Sequence, residues 1–204
     1  MSWRWSGAVL LSGLVAGCGS DAAPTAEQEA RADSLVHNVL LVDANILTPY
    51  RIVLDTASVW DDSGWGEFDH PRAVEGGLDV AVLEMLIPNN QNEPDAVADR
   101  ILDDWHAIFQ LYEDRFRKLE RSSDVTGPVT DGRVGVMLAV ENAIVIGREL
   151  SQIGHLYDRG VRMMTPVHIR PNGIGDSSQS DDGPWQGLSP FGEEVVAEMN
   201  RLGM

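Results

Sequence analysis

The chain has 204 residues, enough for one domain with a sizeable core and few for two. Its composition is ordinary for a globular protein, with 43% apolar and 23% charged residues, but its formal net charge is −17. So acidic a surface repels nucleic acids and anionic lipid headgroups, which argues against both as partners of the folded domain.

The first segment of the chain has the features of a secretory signal. Arg4 supplies a positive charge, and Gly7–Gly17 is an apolar run much shorter than the roughly 20 residues of a membrane-spanning helix. The run ends in Val15–Cys18 (VAGC), which resembles a bacterial lipobox. Cys18 is the only cysteine, so it has no internal disulfide partner and stands where a lipidated residue would. The alternative is a plain secretory signal with a chance cysteine.

The lipobox predicts a division of the chain and a location. Residues 1–17 are a lipoprotein signal peptide, residues 18–37 are a lipidated Cys18 with a flexible tether, and residues 38–204 are the folded domain. We expect a bacterial cell-envelope protein that is attached to the membrane through its lipid anchor. Gly19 replaces the aspartate of the usual inner-membrane retention signal, which favours the outer membrane in a diderm bacterium.

The folded domain alternates between predicted strands and predicted helices. The strands are predicted at 39–47, 79–87, 133–141 and 161–169, and the helices at 70–76, 94–119, 148–160 and from Pro190 to Gly203. The longest helix is predicted from an apolar stripe of Val97, Ile101, Trp105, Ile108, Tyr112 and Leu119. Such α/β alternation predicts a parallel sheet with right-handed crossovers, either an open doubly wound sheet or half of an eight-unit barrel. No Gly-x-Gly-x-x-Gly follows a strand, which argues against a dinucleotide site.

In α/β proteins the catalytic and binding residues lie at the carboxyl ends of the strands, so the residues at these positions are the candidates for a functional site. Asp43, Asn45 and Leu47 follow the first apolar run, where no histidine occurs. Glu141 ends the third predicted strand and His168 the fourth. A lone glutamate at such a position is often a solvated or loop-capping residue, and a lone histidine is often a structural hydrogen-bonding group. Their placement at matching ends of adjacent strands favours a functional site.

Other site types have less support. The chain contains no His-x-His or His-x-Asp pair and no second cysteine, which argues against a closed structural zinc site. No Gly-x-Ser-x-Gly surrounds a serine, so a serine hydrolase is not supported. The stretch DSSQSDDG at 176–183 lacks the oxygen spacing of an EF-hand loop.

Three stretches resemble the membrane dipeptidase family (renal dipeptidase, peptidase M19). They are FDHPRAVEGGLDVAVLEMLIP, ENAIVIGRELSQIGHLYDRGVRMMTPVHIRPNGIGDSS and GLSPFGEEVVAEMNRLGM, and the resemblance covers roughly residues 38 to 204. It implies a TIM-type (β/α)8 barrel of the metal-dependent hydrolases, of which this chain would be a (βα)4 portion truncated after the fourth unit. It also implies two zinc ions and hydrolysis of dipeptides by a metal-bound water.

The resemblance assigns roles residue by residue. Family members carry a His-x-Asp ligand pair just after the first strand, and here the histidine position holds Asn45 and the aspartate position Leu47. Glu141 matches the glutamate that bridges the two metals, and His168 matches a histidine that contacts substrate. The remaining metal-binding histidines would lie beyond Met204. With the strand-one ligands replaced, the two zinc ions of the family are not supported in this chain.

Three interpretations of the sequence therefore stay open. The chain is a lipid-anchored metallodipeptidase homologue, a catalytically compromised lipoprotein that keeps the cleft as a binding surface, or a gene fragment. A half-barrel would leave two open sheet edges and an exposed inner face, which predicts self-association.

Overall fold

The structure, a computed structural model, describes residues 23–49, 58–62, 66–125, 127–128, 130–181 and 183–204. The predicted signal peptide and Cys18 lie outside these residues. The described helices are α1 (Ala26–Val36), α2 (His70–Glu75), α3 (Pro94–Leu111), α4 (Ser151–Asp158) and α5 (Pro190–Leu202). The strands are β1 (Val42–Ile46), β2 (Val80–Leu86), β3 (Phe116–Lys118), β4 (Val134–Glu141) and β5 (Val161–Thr165).

All five strands belong to one parallel sheet. β2 lies between β1 and β4, and the far edge of β4 is shared by two strands. The short β3 pairs with the beginning of β4, and β5 pairs with its end. The four longer strands thus follow one another across the sheet in chain order, as successive units of a (β/α)8 barrel do. The predicted parallel α/β fold is confirmed.

The sheet has helices packed on one face and a groove on the other. Successive side chains of a strand point to opposite faces, so β2 sends Leu83 and Met85 toward the helices and Val80 and Val82 to the other side. The helix-covered side carries the core, whose largest fully buried side chain is Trp105 of α3. The other side, which we call the inner face, holds a groove of about 460 Å³ lined in part by the valines of β2.

The predicted end of the longest helix is wrong. α3 ends at Leu111, and Tyr112 leaves the helical conformation with φ −129° and ψ 45°. The chain then turns and forms β3, whose backbone pairs with β4 at Val134–Val136. Leu119 is buried beyond β3, where the backbone N–H donates to the carbonyl oxygen of Val136. The apolar spacing of Tyr112 and Leu119 fits a helix, but the chain between them forms the strand β3 because its backbone pairs with the edge of β4.

The prediction of a flexible tether is wrong for Ala26–Val36, which forms α1. Thr25 and Gln28 make a reciprocal capping box, in which each side chain accepts a hydrogen bond from the other residue's backbone N–H. The segment AEQEARADSLV is rich in strong helix formers, so it forms a helix although none of its residues is buried. Among the described residues, no helix is long and apolar enough to cross a membrane.

The last helix begins and ends where the sequence predicts. The Ser189 hydroxyl accepts a hydrogen bond from the Gly192 backbone N–H and donates to the carbonyl oxygen of Gly173, so the cap also secures the preceding loop. Gly203 ends α5 in the left-handed conformation, with φ 81°. Val195 of α5 is fully buried.

Candidate functional site at the strand ends

Polar side chains from four strands meet at the carboxyl-end edge of the sheet. Asn45 comes from β1, Glu84 from β2 and Glu141 from the end of β4, and His168 follows β5. The Nδ2 amide of Asn45 donates a hydrogen bond of 2.8 Å to Oε2 of Glu84. Nε2 of His168 lies 3.4 Å from Oε1 of Glu141. We call these four residues the strand-end cluster.

An irregularity in β1 brings Asn45 toward Glu84. Asp43 pairs with Ala81 and Ile46 with Leu83, so three steps along β1 match two steps along β2. This is a β-bulge, and it re-aims the side chains that follow it. The Asp43 carboxylate accepts a hydrogen bond from the backbone N–H of Asn45 at 3.1 Å, which fixes the local turn of the chain.

Glu84 is the functional candidate that the sequence reasoning missed. It is 3% exposed, and burial raises the pKa of its carboxyl to about 6, with a further contribution from the negative charge of Glu141. Within the described part of the chain, no lysine or arginine forms an ion pair with either carboxylate. The available signal was a single charged residue in the otherwise apolar strand VAVLEML.

Glu141 and His168 are brought together, as their positions in the sequence predict. Oε1 of Glu141 faces His168, whereas its Oε2 is buried and has no hydrogen-bond partner. Buried polar atoms nearly always have a partner, so this carboxylate oxygen is a position that a ligand, an ion or a water molecule could satisfy. The assigned roles, metal bridging for Glu141 and substrate contact for His168, stay predictions.

Asn142 joins three of the loops that surround the cluster. Its side chain is fully buried, and Nδ2 donates to the Ile87 carbonyl oxygen at 2.6 Å and to Oδ1 of Asn89 at 3.0 Å. The Oδ1 atom of Asn142 accepts a hydrogen bond of 3.0 Å from Nδ2 of Asn172. Nδ2 of Asn172 also donates a hydrogen bond of 2.8 Å to the Pro166 carbonyl oxygen. The loops after β2, β4 and β5 are therefore linked by amide side chains beside Glu141 and His168.

The residues present do not fit a two-zinc centre. Zinc is held by cysteine, histidine and carboxylate ligands, but Leu47 has no donor atom, and Asn45 turns its N–H group toward Glu84. The described ranges contain no group of three or more His, Cys, Asp or Glu side chains that could hold a metal ion. The orphaned oxygen of Glu141 alone suits a metal, and one carboxylate does not make a two-metal site.

Comparisons of this chain with a protein-family model and with known protein sequences agree on one family. The sequence model of the membrane dipeptidases (peptidase family M19) matches residues 29–204. Dipeptidase tcpJ of Claviceps purpurea (strain 20.1) is 29% identical over 149 residues, which are 68% of this chain and 35% of that protein. Dipeptidase verJ of Clonostachys rogersoniana is 36% identical over 100 residues, which are 48% of this chain and 26% of that protein. This chain thus spans about a quarter to a third of the length of these curated relatives.

Solved structures share the fold. The probable dipeptidase PvdM from Pseudomonas aeruginosa superposes with a TM-score of 0.75 at 23% identity, covering 86% of this chain and 48% of that one. A metallopeptidase from Rhodobacter sphaeroides, liganded with a phosphinate mimic of the dipeptide L-Ala-D-Ala, gives a TM-score of 0.70 at 22% identity. That match covers 81% of this chain and 57% of the other.

Proposed function

Because this chain belongs to the membrane dipeptidase family, peptidase family M19, we propose that it binds dipeptide-like ligands at the strand-end cluster without hydrolysing them. The family is one of metallopeptidases, whose members use bound metal to activate water and to polarise the peptide carbonyl. Binding needs a cleft with positioned polar groups, whereas hydrolysis also needs that metal.

The observation that carries the proposal is the hydrogen bond between Asn45 and Glu84. The resemblance assigns the Asn45 position to a metal-binding histidine, but here the side chain offers a donor N–H group to a neighbouring carboxyl. Leu47 offers no ligand at the position of the metal-binding aspartate. Without a bound metal, the pKa of water stays far above neutral pH, so little hydroxide is available as a nucleophile.

The groups that remain suit ligand binding. Glu141 and His168 stand at the open end of the sheet, each partly accessible, and the amide network of Asn142 holds the surrounding loops. The Rhodobacter sphaeroides metallopeptidase of the same fold is liganded with a dipeptide mimic, which supports a dipeptide as the ligand class here.

The proposal also covers location and assembly. Cleavage before Cys18 and lipidation of Cys18 would anchor the protein in the bacterial cell envelope. The groove of the inner face, at whose edge Val42 is 46% exposed, supports self-association through that face. Both features rest on the sequence pattern and on exposed surface, and both stay proposals.

The test is an assay of binding and turnover on the same preparation. The full chain is purified in mild detergent, supplied with zinc, and mixed with L-Ala-D-Ala. Calorimetry measures binding, and the release of free alanine measures hydrolysis. We expect binding without alanine release above a chelator-treated control.

Catalytic release of alanine that the chelator abolishes would contradict the proposal. It would favour the second candidate, a metallodipeptidase, for which the orphaned buried oxygen of Glu141 is the supporting observation.

A further inference from the structure

We propose that Glu84 makes the cleft selective for a cationic amino group, in the first place the free α-ammonium group of a dipeptide. The inference rests on the proposed binding function and extends it by naming the ligand group that is recognised and the residue that recognises it. Glu84 has no role assigned by the family resemblance.

Glu84 and Glu141 carry negative charge that no lysine or arginine of the described residues compensates. In the β2–β4 pairing Glu84 lies opposite Ala139, and Glu141 lies two residues farther along β4. Because side chains alternate between faces with a period of two, Glu141 and Ala139 share a face, and both carboxylates project from the inner face near its carboxyl-end edge. Within the described residues, the only ionisable partner recorded for this pair is His168. A positively charged ligand would complete the charge balance.

The two carboxylates also have unused capacity to accept hydrogen bonds. Glu84 is buried and receives one hydrogen bond, from the amide of Asn45. Oε2 of Glu141 is buried and receives none. Carboxylates are acceptors only, and a protonated amine offers three N–H donors, so the two groups are complementary. A buried acceptor without a donor is unfavourable, and an ammonium group would relieve it.

The arrangement of the two carboxylates suits an ammonium group better than a metal ion. A metal ion requires several ligand atoms that converge to about 2 Å from one point. The described residues provide no such group of three His, Cys, Asp or Glu side chains. An ammonium group is satisfied by acceptors at about 2.8 Å in a looser arrangement, which carboxylates on two adjacent strands provide.

The experiment compares a dipeptide with and without its positive charge. Calorimetric titrations at pH 7, where the α-amino group is mostly protonated and Glu84 is mostly ionised, use the full chain in detergent with L-Ala-D-Ala and with N-acetyl-L-Ala-D-Ala. We expect the free dipeptide to bind about 10- to 100-fold more tightly, as a charge-assisted hydrogen bond predicts. In Glu84→Gln, which keeps the shape of the side chain, this preference should fall to about threefold or less. Glu194→Gln removes an exposed carboxylate of α5 and should retain the wild-type preference.

The outcomes distinguish this inference from the proposed function. Equal affinity of the wild type for the two ligands, or a full preference retained in Glu84→Gln, would overturn the inference and leave dipeptide binding intact. If neither ligand binds to the wild type, the proposed function fails, and the inference fails with it. The wild-type comparison does not depend on the folding of any variant.

Discussion

Glu84 is a buried carboxyl whose partner is a neutral amide. The hydrogen bond from Asn45 satisfies one oxygen, but an uncharged donor does not offset a full negative charge. Burial and the nearby Glu141 therefore raise the pKa of Glu84 from 4.5 to about 6. The folded state binds the Glu84 proton more tightly than the unfolded state does, and this links protonation to stability.

This linkage predicts a pH-dependent stability. The contribution of the raised pKa is fully present below pH 4.5 and is lost as the pH rises through about 6. The loss is at most about 2 kcal/mol. Urea unfolding of the wild type and of Glu84→Gln between pH 4.5 and 7.5 measures this loss, because the substitution removes the titration of Glu84 and leaves the other ionisable groups. As the pH rises, the free energy of unfolding of the wild type should fall relative to that of the variant. A difference between the two proteins that stays constant with pH would contradict the raised pKa of Glu84.

The site residues differ in how far the sequence could predict them. Asn45, Leu47, Glu141 and His168 were identified because they stand at strand ends in a recognisable frame. Glu84 lies inside a strand, and the sequence does not say which face of the sheet it occupies. The bulge that directs Asn45 toward it depends on the pairing of two strands, which no local pattern encodes.

At the scale of elements, Asn142 determines how the loops meet. It follows β4 directly and has a φ of 75°, a conformation that asparagine tolerates better than most residues. Its buried amide contacts the loop after β2 and accepts from Asn172, which itself holds the loop after β5. One side chain thus couples the ends of three strands.

Two substitutions distinguish the stability contribution of the Asn142 amide from that of its backbone conformation. Asn142→Gly keeps the favourable φ and loses the buried hydrogen bonds, so the free energy of unfolding should fall by about 1–3 kcal/mol. Asn142→Ala loses the same hydrogen bonds and also strains the backbone, so the free energy of unfolding should fall by about 1 kcal/mol more than in the glycine variant. Chemical denaturation measures both, with Asn92→Ala in an exposed turn as the control. Equal values for alanine and glycine would show that the conformation at this position is not strained.

Elements were predicted best where one local signal determined them. β2 and β4 are nearly continuous apolar runs, and α5 has a serine cap and a glycine stop. β3 was missed because three residues carry no periodicity and exist through pairing with β4. α1 was missed because its small, polar composition resembles that of a linker, and the capping box of Thr25 and Gln28 was not recognised.

The whole molecule is a parallel sheet with helices on one face and an open groove on the other. Alternation of strands and helices predicted the parallel sheet, but an open sheet and a barrel portion share that pattern. The family resemblance favoured the barrel, and structures with TM-scores of 0.70 and 0.75 share its fold. The strand-end cluster lies where barrel enzymes generally carry their active sites, and the described residues contain no group of three His, Cys, Asp or Glu side chains that could hold a metal ion.

We infer that the fold of a metallopeptidase family persists here around strand ends at which Asn45 and Leu47 stand in place of the metal-binding residues that the resemblance implies. The most direct test is the zinc content of the full chain after dialysis against zinc, measured by elemental analysis beside the variant Asn45→His/Leu47→Asp. We predict well under one zinc ion per wild-type chain and a clear gain in the variant, whose new histidine and aspartate join Glu141 as ligands. One or more zinc ions per wild-type chain, lost on Glu141→Gln, would contradict the account.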